Sequence, residues 1–196
     1  MTAAPSLAAC AALIRDIPDF PRPGIVFKDI TPLLGNGPCF RAVVEAMAGL
    51  CQDQGLRPDL LAGPEARGFI FGAALAYRLG VGFVPIRKPN KLPHRTSRMA
   101  YDLEYGSDAV EMHADAIAPG QRVMLVDDLL ATGGTMAACA RLVEQGGAQV
   151  EACVFLLELT FLDGRRRLAD YPVHALLPVS GQAASDQASP CNASQA

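Results

Sequence analysis

Two consecutive acids, Asp127 and Asp128, stand just ahead of a turn made of Ala131, Thr132, Gly133, Gly134 and Thr135. These residue types divide the chemistry between them. Two glycines let backbone amides come close to an anion, and a helix opening at that point adds the positive end of its dipole. Thr132 and Thr135 supply hydroxyl donors for the remaining oxygens of a phosphate. The acids cannot bind phosphate, because like charges repel. They can accept hydrogen bonds from sugar hydroxyls, and they favour a cationic centre nearby. A single ligand satisfies both halves: a sugar with two free hydroxyls and a phosphate a few bonds away, that is, a ribose 5-phosphate. The plainer alternative is an acidic strand end that merely caps a helix, but capping needs one acid rather than two acids and a Thr-Gly-Gly-Thr turn. No Gly-Lys-Ser/Thr follows the glycines, which excludes a P-loop, and the spacing of a dinucleotide fingerprint is missing.

The elements that must position this site follow from periodicity. Val123 to Val126 is a fully apolar strand with the acids at its carboxyl end, and a helix is expected over about 134–145. In open α/β sheets, that location is where ligands bind. Upstream, a short helix is expected over 5–16, then a proline-rich loop or arm at 17–24. A helix over 37–53 carries Phe40, Val43, Val44, Met47 and Leu50 at helical spacing. A buried strand at 59–63, a helix at 66–79 and a strand at 81–86 complete the first half. Downstream come a β-prone stretch at 149–157, a short charged helix near 161–169 and a strand around 173–177. Strands alternating with helices predict an α/β fold with a mostly parallel central sheet flanked by helices on both faces.

Residues 87–108 interrupt the alternation. Arg87 to Arg98 is basic, polar and proline-broken, with no evident buried face, so 87–108 reads as a long loop, and such loops are usually functional. The organisation expected is therefore an N-terminal helix and arm over 1–35, a core over 36–180 containing the 87–108 loop, and a disordered tail over 181–196, rich in Ala, Ser and Gln.

Composition narrows the function class. With 51% hydrophobic and 19% charged residues in 196, the chain can fill one sizeable core. A net charge of −3 argues against a nucleic-acid surface. No run is apolar for long enough to span a bilayer and no signal peptide is apparent, so the cytoplasm is the expected location. The six cysteines form no CxxC pair and read as reduced core residues. His94, His113 and His174 are not at ligand spacing, and no metal held mainly by the protein is expected.

Residues 123–135 resemble the signature of the type I phosphoribosyltransferases, which bind 5-phosphoribosyl 1-diphosphate. The resemblance implies that Asp127 and Asp128 contact the ribose hydroxyls while 131–135 holds the 5′-phosphate. Three further segments resemble the adenine phosphoribosyltransferases in particular. In residues 19–32 the resemblance implies an adenine pocket, with a backbone contact at Val26, an aromatic wall at Phe27 and a basic residue at Lys28; Leu129 is implied as a further base contact. Residues 63–69 resemble the diphosphate loop, implying that Glu65, Ala66 and Arg67 lie at the diphosphate, with Glu65 assisting through magnesium-bound water. Arg67 suits that task through its planar fork of donors. In the 87–108 loop, read as a mobile lid, the resemblance places Lys88 and Lys91 toward the leaving diphosphate. It makes Glu104, in Leu-Glu-Tyr-Gly, the general acid/base acting with Asp127 and Asp128. The implied reaction is adenine plus 5-phosphoribosyl 1-diphosphate giving AMP and diphosphate. Magnesium is brought with the sugar diphosphate, and the enzyme is implied to be a homodimer.

Two rivals stay open at this stage. One is another base, such as hypoxanthine, guanine, xanthine or orotate, on the same scaffold; an oxopurine needs a donor or cation facing its 6-oxygen, and Lys28 is the one candidate. The other is a regulator that senses the sugar diphosphate or a purine. Such proteins add a basic DNA-binding segment or lose the lid, whereas residues 1–16 hold one basic residue, Arg15.

Overall fold

A computed structural model of the chain describes residues 4–102 and 107–181. The N-terminal part forms helix α1 (Leu7–Ala11), strands β1 (Arg15–Ile17) and β2 (Phe27–Asp29), and helices α2 (Thr31–Gly35) and α3 (Gly37–Asp53). Next come β3 (Leu60–Pro64), α4 (Arg67–Leu79) and β4 (Gly82–Ile86), followed by β5 (Thr96–Asp102) and β6 (Ser107–His113). The chain continues through β7 (Arg122–Leu130), α5 (Gly134–Gln145) and β8 (Gln149–Leu159). Two 3-10 turns, Thr160–Leu162 and Gly164–Leu168, lead into β9 (Val173–Val179).

Five strands pair in the order β4-β3-β7-β8-β9, every pair parallel. Helices cover both faces, which is why the strands are apolar along most of their length rather than alternating. On β7, Val123 and Leu125 pack with α5, among Met136, Cys139, Leu142 and Val143. Met124 and Val126 pack on the other face with Met47 of α3 and with Phe71 and Leu75 of α4. Cys10, Ile30 and Leu33 belong to that second cluster, so the N-terminal segment is built into the core. Cys10, Cys39, Cys51, Cys139 and Cys153 are buried and free, as core residues should be.

The strand order places the site. From β3 the chain runs through α4 to β4 on one side of the sheet; from β7 it runs through α5 to β8 on the other. The carboxyl ends of β3 and β7, which are neighbours, thus flank a switch point in the sheet, where a crevice opens.

Four expectations change. The helix expected over 5–16 ends at Ala11, because Arg15 and Asp16 pair as a strand with Asp29 and Lys28. Opposite charges face one another across that pairing, Arg15 Nη2 at 2.7 Å from Asp29 and Lys28 Nζ at 2.6 Å from Asp16. The 87–108 stretch is not one loop: β5 and β6 are antiparallel, and Met99 and Tyr101 pack against the core. β7 does not end at Val126 but carries Asp127 and Asp128 within it. Finally, 161–169 forms 3-10 turns rather than an α-helix. Glu104 and the tail beyond Gly181 lie outside the described residues.

Candidate active site

Asp127 and Asp128 sit near the end of β7, where the packing alternation slips. Val123 and Leu125 face α5, yet further along it is Leu130 that packs on that side while Leu129 joins the opposite cluster. Asp128 is 2% exposed and lies with its Oδ2 3.1 Å from Arg67 Nε, at the first turn of α4. That contact is an ion pair rather than an aligned hydrogen bond, so Asp128 Oδ2 and Arg67 Nη1 are buried without hydrogen-bond partners. Asp127 accepts from the backbone N–H of Asp128 at 2.9 Å. Burial, and then the charge of Asp128, push the Asp127 carboxyl well above its ordinary pKa. Burial also raises Asp128, against the opposing pull of the Arg67 guanidinium.

The backbone comes unusually close here. A Cβ on Gly68 would stand 2.9 Å from the Val126 carbonyl oxygen and 3.1 Å from Asp127 Oδ1, so only glycine lets α4 start against the end of β7. The phosphate-type turn is held in the same manner. Gly133 has φ +79° and is the N-cap of α5, and its α-carbon abuts the Gly164 carbonyl, while Gly164 in turn abuts the carbonyl of Ala131. The 164–168 turn therefore packs main chain to main chain against the 131–135 turn.

Two hollows meet over these residues, sharing Arg67, Asp127, Asp128 and Thr135. One is lined further by Leu129, Ala131, Thr132, Gly133 and Gly134. The other is lined by Pro64, Glu65, Arg87 and Lys88. The shared acids thus stand between the 131–135 turn on one side and Arg87 and Lys88, with Glu65, on the other, which suits a ligand with a sugar-like centre and an anion at each end.

Of the residues singled out in the sequence, Glu65, Arg67, Lys88, Asp127, Asp128, Leu129 and the 131–135 turn converge on these hollows. Glu65 does not pair with Arg67 on the surface; its carboxylate accepts from Arg87 Nε at 2.6 Å. Ala66 is the N-cap of α4 and follows a cis peptide from Glu65. Lys91 is exposed and lines neither hollow; its carbonyl accepts from Arg87. Val26 is exposed, and Lys28 is engaged with Asp16. Phe27 reaches the site through Arg67, whose guanidinium lies over its ring at 5.2 Å.

Sequence reading missed Arg87, Tyr101, Asp108 and Gly164. Lys88 Nζ pairs with Asp108 and lies 3.4 Å from the Tyr101 hydroxyl; that hydroxyl donates to Asp108 at 3.2 Å and accepts from Thr135 Oγ1 at 3.2 Å. The lysine holds the Asp108 carboxyl below its usual pKa. These partners are far apart in sequence, and no local pattern signals them. Among the described residues no group of three or more His, Cys, Asp or Glu is placed to hold a metal. No helix there is long and apolar enough to cross a membrane.

Residues 31–173 match the family model of the phosphoribosyl transferase domain. The chain is 59% identical over 167 residues to adenine phosphoribosyltransferase of Roseiflexus sp. (strain RS-1), covering 85% of this chain and 96% of that one. The crystal structure of adenine phosphoribosyltransferase from Thermoanaerobacter pseudethanolicus superposes with a TM-score of 0.86 at 55% identity, covering 89% of this chain and all of the other. The Saccharomyces cerevisiae enzyme, solved with an imino-altritol bisphosphate and adenine, matches with a TM-score of 0.82 at 40% identity, covering 85% of this chain and 96% of its own.

Proposed function

This chain belongs to the phosphoribosyltransferase family, and from that premise we infer that it works as its adenine-specific relatives do. It is a purine salvage enzyme, a glycosyltransferase that joins adenine to 5-phosphoribosyl 1-diphosphate and releases AMP and diphosphate. The observation that carries the reading is the acidic pair, Asp128 buried and Asp127 half-buried, set against the Thr-Gly-Gly-Thr turn, with Arg67, Arg87 and Lys88 lining the adjoining hollow.

In the reading proposed, the 131–135 turn takes the 5′-phosphate through its amides and the hydroxyls of Thr132 and Thr135. Asp127 and Asp128 accept from the ribose hydroxyls. Arg67 takes the diphosphate, flanked by Glu65, Ala66, Lys88 and Lys91. As the bond from the anomeric carbon to diphosphate breaks, positive charge develops on the sugar, and two fixed carboxylates stabilise that state electrostatically. A purine ring nitrogen then bonds to the anomeric carbon, and Glu104 exchanges the proton on the base. The base lies among Val26, Phe27, Lys28 and Leu129.

The donor set fits magnesium carried by the substrate. Glu65, Asp127 and Asp128 line the same hollow with carboxylates, and Asp128 Oδ2, ion-paired with Arg67 at 3.1 Å, has no hydrogen-bond partner. When bound, the ion would neutralise the leaving diphosphate's charge, held chiefly by the ligand's own oxygens with Glu65 at its water shell.

Adenine is favoured over an oxopurine because Lys28, the cation read from the sequence as the candidate for a 6-oxygen, is already paired with Asp16 at 2.6 Å. The regulator reading is weakened too, since Arg15, the one basic residue of 1–16, is paired with Asp29. A cytoplasmic homodimer completes the proposal, and free buried cysteines suit a reducing compartment. The test is a panel of adenine, hypoxanthine, guanine, xanthine and orotate at saturating sugar diphosphate, with and without magnesium. Nucleotide should form from adenine and need magnesium; faster turnover of any other base would overturn the assignment.

A further inference from the structure

Tyr101 and Asp108 stand directly opposite one another across β5 and β6, and their side chains form a chain that ends on the phosphate-type turn. The direction of each hydrogen bond follows from what the groups can do. Lys88 only donates, and the ionised Asp108 carboxylate only accepts. The single proton of the Tyr101 phenol therefore goes to Asp108, at 3.2 Å. The phenol oxygen is left with lone pairs, which face Lys88 at 3.4 Å and Thr135 Oγ1 at 3.2 Å. Thr135 must then be the donor, and its one hydroxyl proton points at Tyr101. The Lys88 ammonium lies 5.9 Å from the centre of the Tyr101 ring, which helps hold the phenol in place.

We propose that Tyr101 is a positioning residue that governs the Thr135 hydroxyl, so that the phenol and an incoming 5′-phosphate compete for the same proton. The proposal rests on the assignment of the 5′-phosphate to the 131–135 turn. Seating the phosphate breaks the Thr135–Tyr101 bond, and that lost bond is subtracted from the affinity. The role is separate from substrate contact, since Tyr101 acts on the 5′-phosphate only through Thr135.

Competition has a signature that a supporting role lacks: removing the acceptor should tighten binding. Ribose 5-phosphate is titrated calorimetrically into the full-length wild type, Tyr101→Phe, Thr135→Ala and the double variant. Tyr101→Phe is expected to bind about three- to tenfold more tightly than wild type, the range covered by one net hydrogen bond. Thr135→Ala should bind more weakly, and in its background the tyrosine substitution should change nothing. Equal or weaker binding by Tyr101→Phe overturns the proposal, as does a gain that persists without the Thr135 hydroxyl. Normal binding by Thr135→Ala instead removes the Thr135 hydroxyl from the phosphate site, and the proposal with it. A measurement on the unaltered phenol guards against a misfolded variant. With 13C-labelled tyrosine, the Tyr101 Cζ resonance should move, on saturation with ribose 5-phosphate, to the position it holds in Thr135→Ala protein. A resonance that stays in place overturns the proposal.

Discussion

Arg67 lies within 3.1 Å of the buried Asp128 carboxylate while its guanidinium covers the Phe27 ring at 5.2 Å. One side chain thus touches both the sugar side of the site and the segment proposed to hold the base. Its Nη1 is buried with no hydrogen-bond partner. A desolvated donor of this kind is costly unless a ligand oxygen meets it, which is what binding a diphosphate supplies.

Arg67→Lys keeps the charge and loses the fork. A lysine presents a point charge and cannot span two oxygens while facing Asp128. The KM for the sugar diphosphate at saturating adenine is expected to rise by about tenfold or more, the worth of one charge-assisted pair. An unchanged KM in steady-state assays removes Arg67 from the diphosphate site.

The acidic pair gives a pH signature. Burial and the Asp128 charge raise Asp127, so the folded chain binds this proton more tightly than the unfolded one. For a carboxyl raised on folding, stability is fully present below the ordinary aspartate value, about 3.9, and is lost as pH climbs toward the folded value. Asp127→Asn cannot ionise. Its urea midpoint should therefore gain on that of the wild type as pH rises through this window, and a constant difference would show that Asp127 is not raised.

How far the site was legible in the sequence depended on distance along the chain. The apolar run ending at Val126, the acids and the Thr-Gly-Gly-Thr turn are contiguous, so their strand–turn–helix arrangement could be read directly. The 37–53 helix was equally clear, because Val43, Val44 and Met47 repeat on one face; the structure adds that Asn36 caps it through its side chain. What escaped were pairings between distant residues. β5 looked like loop because its sequence is polar; its strand character comes from pairing with β6 and from Tyr101 packing on the core. Arg87 gained a role through Glu65, and Asp108 through Lys88 and Tyr101. β7 outran its apolar run because neighbouring β8 continues to Leu159 and keeps pairing with it.

Glu104→Gln separates proton transfer from binding. The amide has the shape of the carboxyl but cannot exchange a proton with the purine. Turnover is expected to fall by about a hundredfold or more, within the range for a lost general acid/base, while adenine still binds by equilibrium titration. Near-normal turnover would take Glu104 out of that role.

Gly164→Ala tests the turn from behind. Gly164 makes no part of either hollow's lining, yet a Cβ there would overlap the Ala131 carbonyl and stand 2.9 Å from Leu130 Cδ1. Both obstacles are main chain or core, so the 131–135 turn has to yield. The expected outcome is a loss of about 1–3 kcal/mol in stability, as for other overpacked sites. It should come with a sugar-diphosphate KM raised about tenfold or more, since amides 1 Å out of place no longer converge on the phosphate. Gly120→Ala is the control. Gly120 has φ +81° with nothing within 4 Å of the added carbon, so the substitution strains the backbone without touching the turn. If both variants lose similar stability and only Gly164→Ala raises KM, the 164–168 turn is the template that shapes the phosphate site. A KM that stays flat in Gly164→Ala would mean that the turn holds its geometry without it.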